Sequence, residues 1–294
     1  MKKQSKLTKI SFIGYLLILI GLLFVTVPLI NRTANEISYK KRLEEFEQEQ
    51  ANRPKEEIEE ENKAAEKYNE LVKNSDTSIL DPFTTEDNQN RYNYFKNSNE
   101  VFAYLEIPKL GKNLPIYLDA TLDHISRGVA QVEGTSIPVG GKGTRSVIAG
   151  HRDWWGDTMF LYVDELVEGD DVYIKRATET LHYKVSDKEV IGPYDWDRLD
   201  KRGDQDVLTL LTCSPFYPPR PDRLLVNCIR YEEPVGSSDN NEENKEDKKE
   251  DQAPVKRVQR ASLLTKLGAG LGIILIILLL VRLIKRINYT RKNK

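Results

Sequence analysis

Residues 10–30 read ISFIGYLLILIGLLFVTVPLI, a run without one charged side chain. As a helix it is long enough to cross the ~30 Å hydrocarbon core of a bilayer. Backbone in that setting must satisfy its own hydrogen bonds, so the stretch is restricted to helix. Lys2, Lys3, Lys6 and Lys9 precede it. A cleaved signal peptide is the competing reading, but its apolar core would be shorter and a small-x-small site would follow. The length of the run and its Pro28-Leu29-Ile30 end favour an uncleaved anchor. A second apolar run, residues 267–284, is interrupted only by Arg282, and Lys266 sits at its other end. Both side chains can snorkel to headgroups. Lys285, Arg286, Arg291, Lys292 and Lys294 follow. The positive-inside rule then puts both chain ends in the cytoplasm and the rest outside, with Lys256, Arg257 and Arg260 as weaker contrary charges. Gly268 and Gly272 form a GxxxG spacing, which lets helices approach closely, although chance in a Gly-rich span end is the preferred reading.

Between the anchors the character changes. Net charge over 294 residues is −2, which gives no basic signature for nucleic acid. Residues 98–233 alone have the mixture needed to bury a core, and that size suits one domain. Residues 32–74 are dense in Glu, Lys, Gln and Ala, with Leu43, Phe46, Ile58, Tyr68 and Leu71 sparsely placed. This predicts a charged helical spacer with a thin apolar stripe, broken in two at Pro54. Residues 75–97 begin SDTSILDPFTT and read as loop. Residues 234–262 open on a Glu/Asp/Asn/Lys run that buries too little to fold, a flexible charged linker. A transmembrane helix at 263–284 and a basic tail at 285–294 follow, mirroring the basic end and helix at 1–31.

Short strand patterns recur through the middle: residues 103–107, 113–118, 145–149, 171–175, 180–185, 207–212 and 223–230, with Gly and Pro between them. Such spacing argues for a mainly β barrel or sandwich. Short helices are expected at 119–126 and 159–166.

Two cysteines are too few for a secreted disulfide scaffold. A Cys213–Cys228 bond is the bland alternative, and it would consume the best nucleophile candidate. Cys213 closes a strand pattern ahead of Ser214-Pro215, a placement that holds a thiol rigidly yet exposed; a buried structural cysteine is the equal alternative. Cys228 lies mid-strand among apolar residues and fits the structural role. A thiol at its ordinary pKa is mostly protonated at neutral pH, so activation needs a base or a positive charge nearby. Of three histidines, His151 also emerges from a strand pattern, between Gly150 and the Trp154-Trp155 rings that could wall a peptide groove. It is the natural acid/base partner; His124 and His182 read as packed or surface residues. Arg223 begins the strand after the Cys213 loop, where a cation can face a developing oxyanion, with Arg220 as a competitor. No Asp or Asn stands out to orient His151, which argues against a papain-type triad. No metal cluster stands out, and the scattered carboxylates read as solvated surface.

TLLTCSP around Cys213, AGHRD around His151, RLLV from Arg223 and VEGTSIPVGG at 132–141 together resemble the sortase family, over residues 101–231. The resemblance implies a closed eight-stranded β-barrel with short helices and Cys213, His151 and Arg223 at its mouth, preceded by a helical segment and flanked by the two transmembrane helices. It implies a Gram-positive cysteine transpeptidase, in hydrolase terms a thiol protease, that needs no cofactor. Such an enzyme cleaves an LPxTG-like sorting signal between Thr and Gly, forms a thioacyl enzyme and passes it to an amine. The subclass resembled is class C, the pilus-assembling sortases. There Asp81-Pro82-Phe83 would be a lid, Asp81 pairing with Arg223 and Phe83 covering Cys213, and the amine would be a pilin lysine. The implied location is the cell membrane, multi-pass, with the barrel extracellular. Three readings compete: a housekeeping sortase attaching surface proteins to peptidoglycan, a plain cysteine protease, and a non-catalytic membrane-tethered scaffold.

Overall fold

A computed structural model describes residues 2–74, 79, 81–83, 100–177, 179–232 and 254–292. The expected loop at 75–97 therefore lies largely outside the described residues, as does 234–253 of the expected linker. The chain divides into two compact units: residues 1–37, 155–157 and 256–294 form one, residues 38–154 and 158–255 the other.

The larger unit is a closed barrel. Its strands are β1 (Ala103–Ile107), β2 (Lys112–Leu118), β3 (Val129–Gln131), β4 (Arg145–Ala149), β5 (Asp171–Lys175), β6 (Thr180–Ile191), β7 (Val207–Ser214) and β8 (Asp222–Arg230). They close in the order β1-β2-β3-β4-β7-β8-β6-β5. The pairs β2–β3 and β4–β7 are parallel, and the remaining pairs are antiparallel. Closure removes the exposed strand edges that an open sheet would present. Ile116, Val147, Ile174, Leu210 and Val226 are among the fully buried core side chains.

Seven strands fall on the sequence patterns, with β6 running on to Ile191 past a register shift between Val185 and Asp187. β3 was not anticipated, because three residues are too few to show an alternation. The helix expected at 119–126 is shorter, at Leu122–Arg127 (α3), because the Thr121 side chain accepts from the His124 amide and caps the helix there. The helix expected at 159–166 reduces to a 3₁₀ turn at Val163–Glu165.

Arg145 ties the wall together from within. Its guanidinium donates to Thr209 Oγ1 on β7, Asn227 Oδ1 on β8 and the carbonyls of Arg198 and Asp200. Upstream, helix α1 (Lys2–Ala51) gives way before Pro54 to α2 (Lys55–Asn74), the break that proline dictates. The apolar stripe is less solvated than a spacer would have it. Leu43 and Phe46 pack with Tyr104 of β1, and Ile58 and Tyr68 are buried while Leu71 is exposed. Asn69 fastens α2 to the β3–β4 loop twice, donating to Ile137 O at 3.1 Å and accepting from Ile137 N at 2.7 Å.

The smaller unit holds two helices long and apolar enough to cross a membrane, within α1 and within α4 (Lys256–Lys292). Pro28 lies inside α1 without ending it. The second helix begins at Lys256, earlier than the expected boundary at 263, because its first turns present Lys and Arg to solvent and need no core. A Cβ on Gly272 would collide with Thr26 Oγ1, and one on Gly268 would lie 3.2 Å from Leu29 Cδ1. The GxxxG therefore seats α1 against α4, where chance had been the preferred reading. Glu36 accepts from Ser262 Oγ and Lys266 Nζ at the same seam. Trp155 belongs to this unit, with its ring edge-on to Phe24 at 5.3 Å.

Candidate active site

Because β4 and β7 are parallel, with Ala149 opposite Leu211, both chains leave the barrel at one rim. β4 delivers His151 there and β7 delivers Cys213. Gly150 N donates to Leu211 O at 3.1 Å and Thr212 Oγ1 donates to Gly150 O at 2.8 Å. The residue before each reactive side chain is thus locked to the other strand. Gly150 has no room for a side chain: a Cβ would meet Phe160 and Val129 at 2.8 Å. β8 then returns antiparallel and pairs Arg223 directly opposite Cys213. Three groups remote in sequence meet the rim from adjacent strands.

Cys213 is a free, half-buried thiol. Burial pushes its pKa up; Arg223 opposes this, Asp81 adds to it, and Arg220 and Arg152 pull it down. Burial alone lowers His151 from 6.5 to about 4. The resting pair is accordingly neutral thiol and neutral imidazole. His151 Nε2 is buried and has no hydrogen-bond partner among the described residues, and the same holds for Arg223 Nε.

Asp81, Pro82 and Phe83 lie across this rim. Arg223 Nη2 meets Asp81 Oδ2 at 2.6 Å, both side chains being largely buried. Arg223 Nη1 donates to the carbonyls of Pro221 and Asp222. The other Asp81 oxygen accepts from Phe83 N at 3.0 Å, an Asx-type turn that fixes the tripeptide. The Phe83 ring centre lies 5.2 Å from the Arg223 guanidinium carbon and 6.0 Å from the His151 ring.

Other candidates lie elsewhere. Arg220 bonds back to Phe216 O within its own loop. His124 is buried against the Asp119 carbonyl and the Tyr117 ring, and His182 pairs with Asp171 on the β5–β6 face. Cys228 is fully buried, which drives its pKa up. No group of three or more His, Cys, Asp or Glu suited to a metal occurs among the described residues.

Two contributors were not read from sequence. Thr212 is one; a hydroxyl just before a strand-end cysteine was the available signal. Arg152 is the other. It is buried, pairs with Asp164 at 2.7 Å and sits 5.3 Å over the Phe216 ring, so it joins the His151 loop to the β7–β8 loop. Trp154 stacks on His151 at 4.2 Å and 8°, a closer relation than the groove wall expected of it.

One rim of the closed barrel carries a thiol, an imidazole and a guanidinium from adjacent strands. A sortase domain model matches residues 105–230. Sortase C-3 of Streptococcus pneumoniae superposes with a TM-score of 0.61 at 33% identity, covering 67% of this chain and 90% of that one. A second Streptococcus pneumoniae sortase C, whose structure is described as informing catalysis and pilin substrate specificity, gives 0.59 at 31% identity, covering 65% and 97%. Sortase D of Bacillus subtilis is 25% identical over 133 residues, 45% of this chain and 64% of that protein. The chain belongs to the sortase family of cysteine transpeptidases, and its structural neighbours are class C members.

Proposed function

We propose that the chain is a membrane-anchored sortase that joins pilin subunits, with Cys213 as nucleophile, His151 as general acid/base and Arg223 as the cation for the carbonyl oxygen. The observation that carries the subclass is the Asp81–Arg223 ion pair at 2.6 Å with Phe83 between Arg223 and His151. A substrate carbonyl needs the guanidinium that Asp81 holds, so residues 81–83 act as a lid that must leave first. Its departure returns water to the rim, which lowers the Cys213 pKa and raises that of His151.

His151 takes the proton of the Cys213 thiol, and the sulfur, now a thiolate, attacks the threonyl carbonyl of an LPxTG-like signal. Arg223, released from Asp81 and with no partner for its Nε among the described residues, faces the oxyanion. His151 gives its proton to the leaving glycine nitrogen as the Thr–Gly bond breaks, which leaves a thioacyl enzyme. A pilin lysine amine then attacks the thioester, His151 takes its proton, and the Cys213 sulfur departs as an amide forms. Two membrane helices, with basic residues outside each, support an anchor with the barrel on the extracellular face.

Incubating the full chain in detergent micelles with a pilin subunit tests this. A ladder of lysine-linked multimers is expected. Transfer to peptidoglycan-like small amines without a ladder would replace the pilus reading with the housekeeping one. Equal turnover without any amine would indicate a protease, and unimpaired assembly by Cys213→Ala a scaffold.

A further inference from the structure

Among the described residues, no hydrogen-bond partner fixes the His151 ring as one usually fixes a catalytic imidazole. In a triad a third group fixes the ring and stabilises the imidazolium. Here Nε2 has no hydrogen-bond partner among the described residues. What the ring does have is Trp154, three residues on, with its rings parallel within 8° and centres 4.2 Å apart. Trp154 is 42% exposed, so core packing does not account for its position. The face of an indole is the negative end of its quadrupole and attracts a cation laid on it.

We infer that Trp154 is the positioning residue for His151: its indole fixes the plane of the imidazole and favours the protonated ring that the departing amine requires. This rests on the acyl-transfer reading above. Phe83, the other ring beside His151, is tilted by 50° at 6.0 Å and leaves with the lid, whereas Trp154 belongs to the same loop as His151 and stays. The charged and titratable groups gathered at the rim are Cys213 on β7, Arg223 on β8, Asp81 of the lid, Arg152 beside His151 and Arg220 in the β7–β8 loop. Arg223 is held by Asp81 and Arg152 by Asp164. No charge among them contributes to lowering His151, which burial alone does; the indole works against that burial.

The test uses the full chain in micelles with ring-labelled histidine, the His151 signal being identified by its loss in His151→Gln. Its pKa is followed by NMR in wild type, Trp154→Phe and Trp154→Leu, alongside kcat and KM for transfer of an LPxTG peptide to an amine. Leucine keeps cover without a π face. It is expected to lower the His151 pKa by about half a pH unit and kcat by about tenfold, with KM within about twofold, a pattern of lost transition-state rather than substrate binding. Phenylalanine should recover most of both. An unchanged or raised His151 pKa in Trp154→Leu overturns the inference. If wild type makes no Cys213-dependent product, the transfer reading fails, and the NMR titration still decides the role of Trp154.

Discussion

At the residue scale, the rim is held in a resting state by desolvation. His151 titrates at about 4 in the folded chain against 6.5 ordinarily. Between those values the unfolded chain binds more protons, so stability rises with pH. The contribution is complete above about pH 6.5 and is lost as pH falls toward 4. His151→Gln, neutral throughout, should therefore lose less stability on acidification than wild type, by at most about 3 kcal/mol between pH 7 and 4. Urea unfolding of both proteins at the two pH values measures this, and identical losses would move the acid sensitivity to another group. Cys213, His151 and Arg223 could be singled out because strand ends, unlike loops, are fixed by ladder register. The stacking of Trp154 and the bridge from Arg152 to Phe216 could not, since each depends on how a loop folds back, and no periodicity encodes that.

At the element scale, period-2 patterning exposed every strand of five or more residues and missed β3, whose three residues carry no period. Helix breaks followed proline at Pro54 but not at Pro28, where the proline sits inside a long apolar helix. The reach of residues 81–83 over the rim rests on one ion pair and one ring. Replacing Asp81 and Phe83 together by alanine should speed alkylation of Cys213 by a bulky maleimide about tenfold or more, since water and reagent gain access while the thiol pKa falls. A rate equal to wild type would leave no occluding role for the segment. For the two apolar helices, Gly272→Leu would drive a side chain into Thr26. In a chain with cysteines at positions 29 and 268, and with Cys213 and Cys228 replaced by alanine, that substitution should sharply reduce oxidative cross-linking within the chain. Undiminished cross-linking would mean that the α1–α4 seam does not depend on the glycine.

At the scale of the whole molecule, the sequence separates into two long apolar helices and a barrel by charge and hydropathy alone, and the structure keeps them as two units. Closure of the barrel was not legible from pattern: alternation says that strands exist, not that the last pairs with the first. The seven strand patterns and the rim residues needed the resemblance to become a closed sheet with one mouth. That closure is what lets β4, β7 and β8 present three groups side by side, and the account depends on Cys213 forming a covalent acyl intermediate there. Intact mass spectrometry of the full chain carrying Asp81→Ala and Phe83→Ala, incubated with an LPxTG peptide, tests this most directly. The account predicts an added mass equal to the peptide up to its threonine less one water, located on Cys213, absent in Cys213→Ala and discharged when an amine is supplied. Cleavage of the peptide with no adduct on Cys213, or with Cys213→Ala equally active, would contradict it.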